Sequence, residues 1–205
     1  MVTLTVKIMF DEEVLGTANG NPDIHKEYIA SNAPDALTMK EEVAAIGTEA
    51  MMEKSMTVFP RDKDGNPTVW DYQWKGFFKE AFQTLKKVPD TACGKIKAFK
   101  KEIDGLIFVY PRQIPIDMNG GSISVCSRPL RAETMQGARI ALASSETVPA
   151  GSSMTFEIRM LTDGHEKAVL EALDYGRFRG FGQWRNASKG RFHYEIIDRK
   201  EEKYK

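Results

Sequence analysis

The sequence predicts an α+β fold in which strands and helices follow one another as βαββαβ. Apolar residues alternate at both ends of the chain, two segments show helical periodicity, and long polar stretches separate them. The predicted core strands are residues 2–10, 105–110, 153–161 and 191–197, and the predicted core helices are residues 71–86 and 164–173. This order is that of a ferredoxin-like (RRM-like) core, an antiparallel sheet with two helices on one face.

The N-terminal part of the chain combines one clear strand with a long irregular segment. VTLTVKIMF alternates β-branched and apolar residues with polar ones, which predicts the first strand. Glycine, asparagine and proline then predict a loop over residues 15–34. A capping-box pattern predicts a helix over Thr38–Glu53, and the Asp64-Gly65 pair predicts a tight hairpin turn.

The two core helices are recognised by apolar residues at three- and four-residue steps. The first begins at Asp71 and has a wide apolar face formed by Trp74, Phe77, Phe78, Ala81, Phe82 and Leu85. The second begins at Asp163 and passes through Ala168, Leu170 and Leu173. Between them, residues 94–102 predict a shorter helix, and the continuous apolar run LIFVY predicts a buried central strand.

Residues 1–205 are expected to form a single domain with insertions at about 16–70 and 111–150. In the second insertion, Ile123–Arg131 and Arg139–Ala143 both have the alternation of strands and are predicted to pair as a projecting hairpin.

This hairpin carries Arg128 and Arg131 on either side of Pro129-Leu130. That arrangement suits an edge that contacts RNA or a neighbouring protein. The alternative is a ribbon whose charges are merely solvated on its open face.

The composition gives no overall attraction for nucleic acid and no sign of a disulfide-rich, membrane or nucleotide-binding protein. Twenty-nine basic and 29 acidic residues give zero formal net charge, so any attraction for nucleic acid must come from local segregation of charge. Cys93 and Cys126 have neither metal-ligand nor disulfide spacing, and no signal peptide or membrane-length apolar run occurs, so a cytoplasmic protein is expected. There is no phosphate-cradling nucleotide motif, HExxH motif or nucleophile elbow, and no cofactor or metal is predicted.

The most informative stretch is residues 173–197, where aromatic and basic side chains are interspersed with glycines and no acidic residue lies between Asp174 and Glu195. Its aromatic residues are Tyr175, Phe178, Phe181, Trp184, Phe192 and Tyr194, its basic residues are Arg177, Arg179, Arg185, Lys189 and Arg191, and its glycines are Gly176, Gly180, Gly182 and Gly190. Cations pair with phosphates and exposed aromatic faces stack on bases, so the stretch predicts a loop that holds single-stranded nucleic acid. The alternative is a surface loop with buried aromatics and solvated cations.

Three segments carry a resemblance to a known family. The opening VTLTVKIMFDEEVLGTA, the helical DYQWKGFFKEAFQTL and the C-terminal DYGRFRGFGQWRNASKGRF occur in the order typical of the RAMP superfamily of CRISPR-associated RNA-binding proteins. They resemble most its guide-RNA-coating backbone subunits. The chain is also similar to uncharacterised prophage proteins of Gram-positive bacteria, so both a role in antiviral defence and a phage protein remain open.

The resemblance implies RNA contacts at the lysine-glycine start of the first core helix and in the glycine-rich loop. Carried over to this sequence, these contacts fall on Lys75, Arg177, Arg179, Gly180, Gly182, Gln183, Trp184 and Arg185. The composition of the loop adds Lys189. Trp184 has two interpretations, a plug in the core or a platform on which a base stacks.

RNA cleavage is a lesser expectation. Some backbone subunits of the family cleave RNA with a loop aspartate and a metal ion, and Asp23 occupies roughly that region of this chain. His25 is a candidate general base on the same loop.

The sequence therefore leaves three functions open. The first is a non-catalytic single-stranded RNA-binding subunit, with RNA and head-to-tail neighbours or CRISPR effector proteins as partners and no membrane. The second is a phage-encoded mimic or inhibitor of a CRISPR complex that acts through protein contacts. The third is an endoribonuclease.

Overall fold

The computed structural model describes residues 1–19, 56–134 and 137–203 of the chain. The predicted helix over Thr38–Glu53 and the cleavage candidates Asp23 and His25 lie outside these residues. The chain divides into two units. The described residues of the first unit are 1–14, 60–122 and 148–203, and those of the second are 15–19, 56–59, 123–134 and 137–147.

Strands outnumber helices along the described parts of the chain. In chain order they are β1 (Val2–Phe10), β2 (Val14–Leu15), β3 (Ala18–Asn19), β4 (Thr57–Val58), β5 (Thr68–Trp70), α1 (Asp71–Leu85), α2 (Ala92–Lys95), α3 (Phe99–Leu106), β6 (Ile107–Tyr110), β7 (Gln113–Pro115), β8 (Ser124–Thr134), β9 (Gly137–Val148), β10 (Ser153–Met160), α4 (Glu166–Arg179) and β11 (Phe192–Glu201). Single 3₁₀ turns occur at Asp163–His165 and Arg185–Ala187. None of the described helices is long and apolar enough to cross a membrane.

A four-stranded antiparallel sheet in the order β11-β1-β10-β6 is the centre of the first unit. Helix α1 lies in the chain between β1 and β6, and α4 lies between β10 and β11. The sequence-based prediction of a mixed α+β protein with an antiparallel sheet is confirmed, with the four core strands and both core helices near their expected positions.

The LIFVY strand differs from its prediction. β6 forms the edge of the sheet, and β1 and β10 are the inner strands. Ile107 and Val109 are buried, whereas Phe108 is half-buried and Tyr110 is exposed. The continuous apolar run therefore combines one core face with two aromatic rings on the other, and an apolar run alone does not separate this case from a strand buried on both faces.

Alternate residues of β1 form the floor of the core. Val2, Leu4, Val6, Ile8 and Phe10 are buried, and the residues between them are half-buried. The aromatic side chains Trp74, Phe77, Phe78 and Phe82 of α1 are buried as well, and the ring centroid of Trp74 lies 4.6 Å from that of Phe156 on β10. At roughly 1.5–3 kcal/mol for each fully buried large apolar side chain, burial of these residues contributes strongly to the stability of the unit.

The second unit contains the predicted hairpin. β8 and β9 pair antiparallel along their length, with Arg128 opposite Ala143. β9 also pairs in parallel with β4, where Thr57 lies opposite Ser145. The predicted pairing of these two segments is confirmed.

Two local predictions had different outcomes. The Asp64-Gly65 turn is present: Asp62 accepts hydrogen bonds from the backbone of Asp64 and Asn66 at 2.9 and 2.8 Å, and Gly65 has φ 83°. The single short helix expected at 94–102 is wrong, because α2 ends at Lys95 and α3 begins at Phe99.

Candidate nucleic-acid interface

The glycine-rich segment is shorter than its sequence suggests, because α4 continues to Arg179 instead of ending near residue 173. Gly176 lies inside this helix. A Cβ atom at Gly176 would lie 2.0 Å from Cζ of Phe192, so the glycine makes room for a ring of the core rather than for a turn. We refer to residues 180–191, between α4 and β11, as the glycine loop.

The base of the glycine loop, Gly180, Phe181 and Gly190, is locked by close backbone contacts. Gly180 and Gly190 have φ 74° and 70°, and a Cβ atom at Gly190 would lie 1.9 Å from the carbonyl oxygen of Phe181. The backbone N–H of Phe181 donates to Gly190 O at 2.8 Å, and that of Gly190 donates to Glu13 O at 2.9 Å. Phe181 is buried and stacks on Trp74, with ring centroids 4.5 Å apart.

The tip of the loop, residues 182–188, is built differently. A single 3₁₀ turn over Arg185–Ala187 is flanked by Trp184 and Ser188, both with left-handed backbones, φ 52° and 66°. Trp184 is 40% exposed, so the plug in the core is Phe181 and not Trp184. A cavity of about 350 Å³ opens at the tip and is lined by Arg179, Gly182, Gln183, Trp184, Arg185 and Asn186.

Two arginines of this cavity converge on one carboxylate. Nε of Arg179 lies 2.7 Å from Oε1 of Glu80, and Nη1 of Arg185 bonds to its Oε2. Arg179 also donates through Nη1 to Oδ1 of Asn186 at 2.8 Å. Burial raises the pKa of Glu80, but the hydrogen bonds and charges of the two arginines outweigh it and hold this pKa below its usual value.

Lys189 and Arg177 have neighbours other than Glu80. Lys189 pairs with Glu13. Arg177 is exposed on α4 near Tyr194, whose pKa is raised to about 12 by burial and by Asp174. Three of the five cations in the segment are thus paired with carboxylates, and removing Arg179 and Arg185 also removes partners of Glu80.

Lys75 lies elsewhere on α1. Its Nζ donates to Asp104 O at 3.3 Å and lies 4.7 Å from the ring centroid of Phe108, beside the edge strand β6. Five residues separate it from Glu80, a rotation of about 140° around a helix. The structure describes no contact that joins Lys75 to the glycine loop, although Phe181 of that loop stacks on Trp74 of the same helix.

The two hairpin arginines belong to the second unit. Arg128 is only 8% exposed, and its Nη1 lies 3.4 Å from Oγ of the buried Ser145. Its side chain is therefore not a solvated charge on an open face, contrary to that alternative. Arg131, of which the structure describes the backbone position, lies on β8 opposite Ile140.

Two titratable residues outside the glycine loop, His165 and Cys93, are buried. His165 is buried between Thr162 and Glu102, at 2.7 and 2.6 Å. Cys93 is buried, and burial raises the pKa of its thiol to about 12, which disfavours the reactive thiolate. Among residues 1–19, 56–134 and 137–203, no group of three or more His, Cys, Asp or Glu side chains is arranged to hold a metal ion.

Two larger clefts lie along the polar positions of β1 and β10. They have volumes of about 600 and 480 Å³ and share Thr155. The first contains the cation Lys7, and the second contains Arg159, which pairs with Glu157 at 2.7 Å and lies 4.3 Å from the ring centroid of Tyr110. Neither brings two cations together, in contrast to the smaller cavity of the glycine loop.

Glu80 and Asn186 are the members of this cavity region that the sequence did not single out. Glu80 is a polar residue at the margin of the apolar face of α1, as in many amphipathic helices. Its partners are 99 and 105 residues away in the chain. A single sequence contains no local signal for such a pair.

Comparisons with known proteins show a likeness of fold, without a match in sequence. No protein-family model matches the sequence, and no curated protein matches it. The chain is similar in fold to a chain in a cryo-EM structure of the Type III-B Cmr-beta bound to cognate target RNA, with a TM-score of 0.55 and 10% sequence identity. The match covers 97% of this chain and spans 60% of the length of that chain.

Proposed function

We propose that this protein binds single-stranded RNA without cleaving it, as a RAMP-type relative of the backbone subunits of CRISPR effector complexes. The observation that carries the proposal is the fold likeness over 97% of the chain to a chain of a complex bound to target RNA. The strand order β11-β1-β10-β6 with α1 and α4 between strands supports a ferredoxin-like core within one domain, with insertions at about 16–70 and 111–150.

The glycine loop is the proposed contact region. Its cavity combines two guanidinium groups, the exposed ring of Trp184 and the amides of Gln183 and Asn186. These groups suit a phosphate and a base of a single strand, and they contact backbone and base faces without reading a particular sequence. Lys75, Arg177, Lys189, Arg128 and Arg131 remain further candidates for contact with RNA or with a neighbouring protein.

Binding is tested with the purified full-length protein and fluorescently labelled single-stranded RNA, with single-stranded DNA and duplex RNA of the same sequence as controls. We expect the affinity for single-stranded RNA to fall linearly with the logarithm of salt concentration, because phosphate contacts release counterions. Absence of binding at low salt would overturn the proposal. Incubation of the same RNA with Mg²⁺ or with EDTA tests the endoribonuclease alternative, in which Asp23 and His25 would be the candidates.

Assembly is tested in the same samples. Backbone subunits stack head to tail, and such heterologous contacts extend into filaments. Light scattering should therefore report larger species as longer single-stranded RNA is added, whereas a monomer at every RNA ratio favours a stand-alone binder or the mimic.

The second candidate is a phage-encoded mimic or inhibitor of a CRISPR complex. The observation in its favour is that Glu80 and Glu13 already neutralise part of the basic segment. This function predicts stable binding to a purified CRISPR effector complex and no binding to free RNA.

A further inference from the structure

The arrangement of Glu80 between two arginines suggests more than neutralisation. The carboxylate uses one donor of each guanidinium, Nε of Arg179 and Nη1 of Arg185. A guanidinium carries five N–H donors in a fixed plane. Among the described residues, Nη2 of Arg179 and Nε and Nη2 of Arg185 make no hydrogen bond, so most donors of the pair remain available while the ion pairs persist.

The charge of the cluster also favours an anion. Two guanidinium groups and one carboxylate leave one positive charge, and the side chains of Arg179, Arg185 and Glu80 are each only a quarter to a third exposed. Partial burial weakens the screening of this charge by salt and water. Asn186 holds Arg179 from a second direction at 2.8 Å, which restricts its rotamer further.

From this geometry we infer that Glu80 is a positioning residue, which holds Arg179 and Arg185 ready to grip one phosphodiester of single-stranded RNA in the cavity of the glycine loop. The inference rests on the proposed function and adds to it the ligand of the cavity and the role of Glu80. A preformed pair avoids the entropy that two flexible arginines would lose on binding. In addition, Trp184 lines the same cavity, where its ring can stack on the base attached to that phosphate.

The alternative is that Glu80 occupies the arginines in place of the phosphate and must be displaced. The two models predict opposite signs for Glu80→Ala. Removal of a negative charge near RNA favours binding in the displacement model. In the positioning model the same variant binds more weakly, although its net charge is more positive, because the arginines lose their fixed geometry.

The control variant is Glu166→Ala. Glu166 is also a helix carboxylate held by an arginine, with Nε and Nη2 of Arg199 at 2.8 and 2.9 Å. It lies at the first residue of α4, roughly 20 Å from the loop end of that helix. Glu166→Ala therefore changes the net charge as Glu80→Ala does and leaves the cavity intact.

The experiment measures dissociation constants for labelled single-stranded RNA at one fixed salt concentration. We expect Glu80→Ala to weaken binding about tenfold, the loss typical of one charge-assisted contact, and Glu166→Ala to leave binding unchanged or slightly tighter. In a background of Arg179→Ala and Arg185→Ala, Glu80→Ala should cause no further loss. That non-additivity separates positioning of the arginines from a general effect on the fold.

The outcomes are distinct. If the wild-type protein binds RNA and Glu80→Ala binds it equally well or more tightly, the positioning role is overturned and the proposed function stands. The same conclusion follows if Glu80→Ala loses as much affinity in the arginine-free background as it does alone. Absence of RNA binding by the wild-type protein overturns both. If Glu80→Ala does not fold by circular dichroism, Glu80→Gln, which keeps one acceptor oxygen, should fold and bind two- to fivefold more weakly; wild-type affinity in that variant overturns the role.

Discussion

The base and the tip of the glycine loop are neighbours in the sequence but are held by different forces. At the base, Gly180 and Gly190 allow backbone to meet backbone, and Phe181 is buried against Trp74. At the tip, Trp184 is partly open to solvent with a left-handed backbone, which costs a residue other than glycine about 1–3 kcal/mol. The comparison indicates that the glycines and the aromatic residue at the base are required for folding. The exposed ring and left-handed backbone of Trp184 at the tip are not explained by folding alone.

The largest expected effect tests this division with two aromatic residues. Phe181→Ala should lower the free energy of unfolding by about 3–5 kcal/mol, because it empties a stacked position in the core. Trp184→Ala should lower it by less than about 1 kcal/mol, because the ring is partly exposed. Urea denaturation of both variants measures the difference, and similar losses would contradict the division between base and tip.

A glycine pair gives the next largest effect. Gly190→Ala should cost about 3 kcal/mol or more, because it adds a clash with Phe181 to the strain of a positive φ. Gly65→Ala is the matched control, since Gly65 also has a positive φ but has open space around its Cβ position, and it should cost about 1 kcal/mol. Equal unfolding free energies for the two variants would show that the clash at the base is relieved by movement.

The contribution of Trp184 to RNA binding tests the tip of the loop. Trp184→Ala should weaken binding of single-stranded RNA by about 1–3 kcal/mol if a base stacks on its ring. Trp184→Phe keeps an aromatic face and should recover most of the affinity. Fluorescence anisotropy with labelled RNA measures both, and wild-type affinity in Trp184→Ala would exclude stacking at the tip.

The smallest effect concerns pH. The folded-state pKa of Glu80 lies below its unfolded value of about 4.3, so its ion pairs stabilise the protein above that pH. This contribution is lost as the pH falls through the lower folded-state pKa. The difference in urea midpoint between the wild type and Glu80→Gln should therefore be present at pH 6 and shrink below about pH 4; a constant difference from pH 6 to pH 3 would contradict this.

The sheet is predictable because its signals are local. Alternation in β1 has the period of a strand, and its apolar residues are the buried ones from Val2 to Phe10. The aromatic positions of α1 likewise follow helical periodicity and face the core. In both elements the spacing of apolar residues determines which face is buried, and a single sequence contains that spacing.

The features that the sequence does not predict depend on distant partners. Gly176 looks like a turn residue in sequence, but it lies in α4 because the ring of Phe192 needs its space. The sequence alone predicts that Arg177, Arg179 and Arg185 are exposed, and hence almost normal folding of a variant that lacks all three. Because Arg179 and Arg185 hold Glu80, the structure instead predicts a measurable loss of stability. Only the three-dimensional packing brings these residues together.

The position of β1 in the sheet also affects how the protein folds during its synthesis. It is an inner strand of the sheet, yet its neighbours β10 and β11 begin only at Ser153 and Phe192, respectively. At roughly 5–20 residues per second, a ribosome needs about ten to forty seconds between making β1 and completing its partners. Throughout that interval at least one edge of VTLTVKIMF is unpaired and prone to aggregate, so chaperones that hold the emerging chain would raise the yield of folded protein.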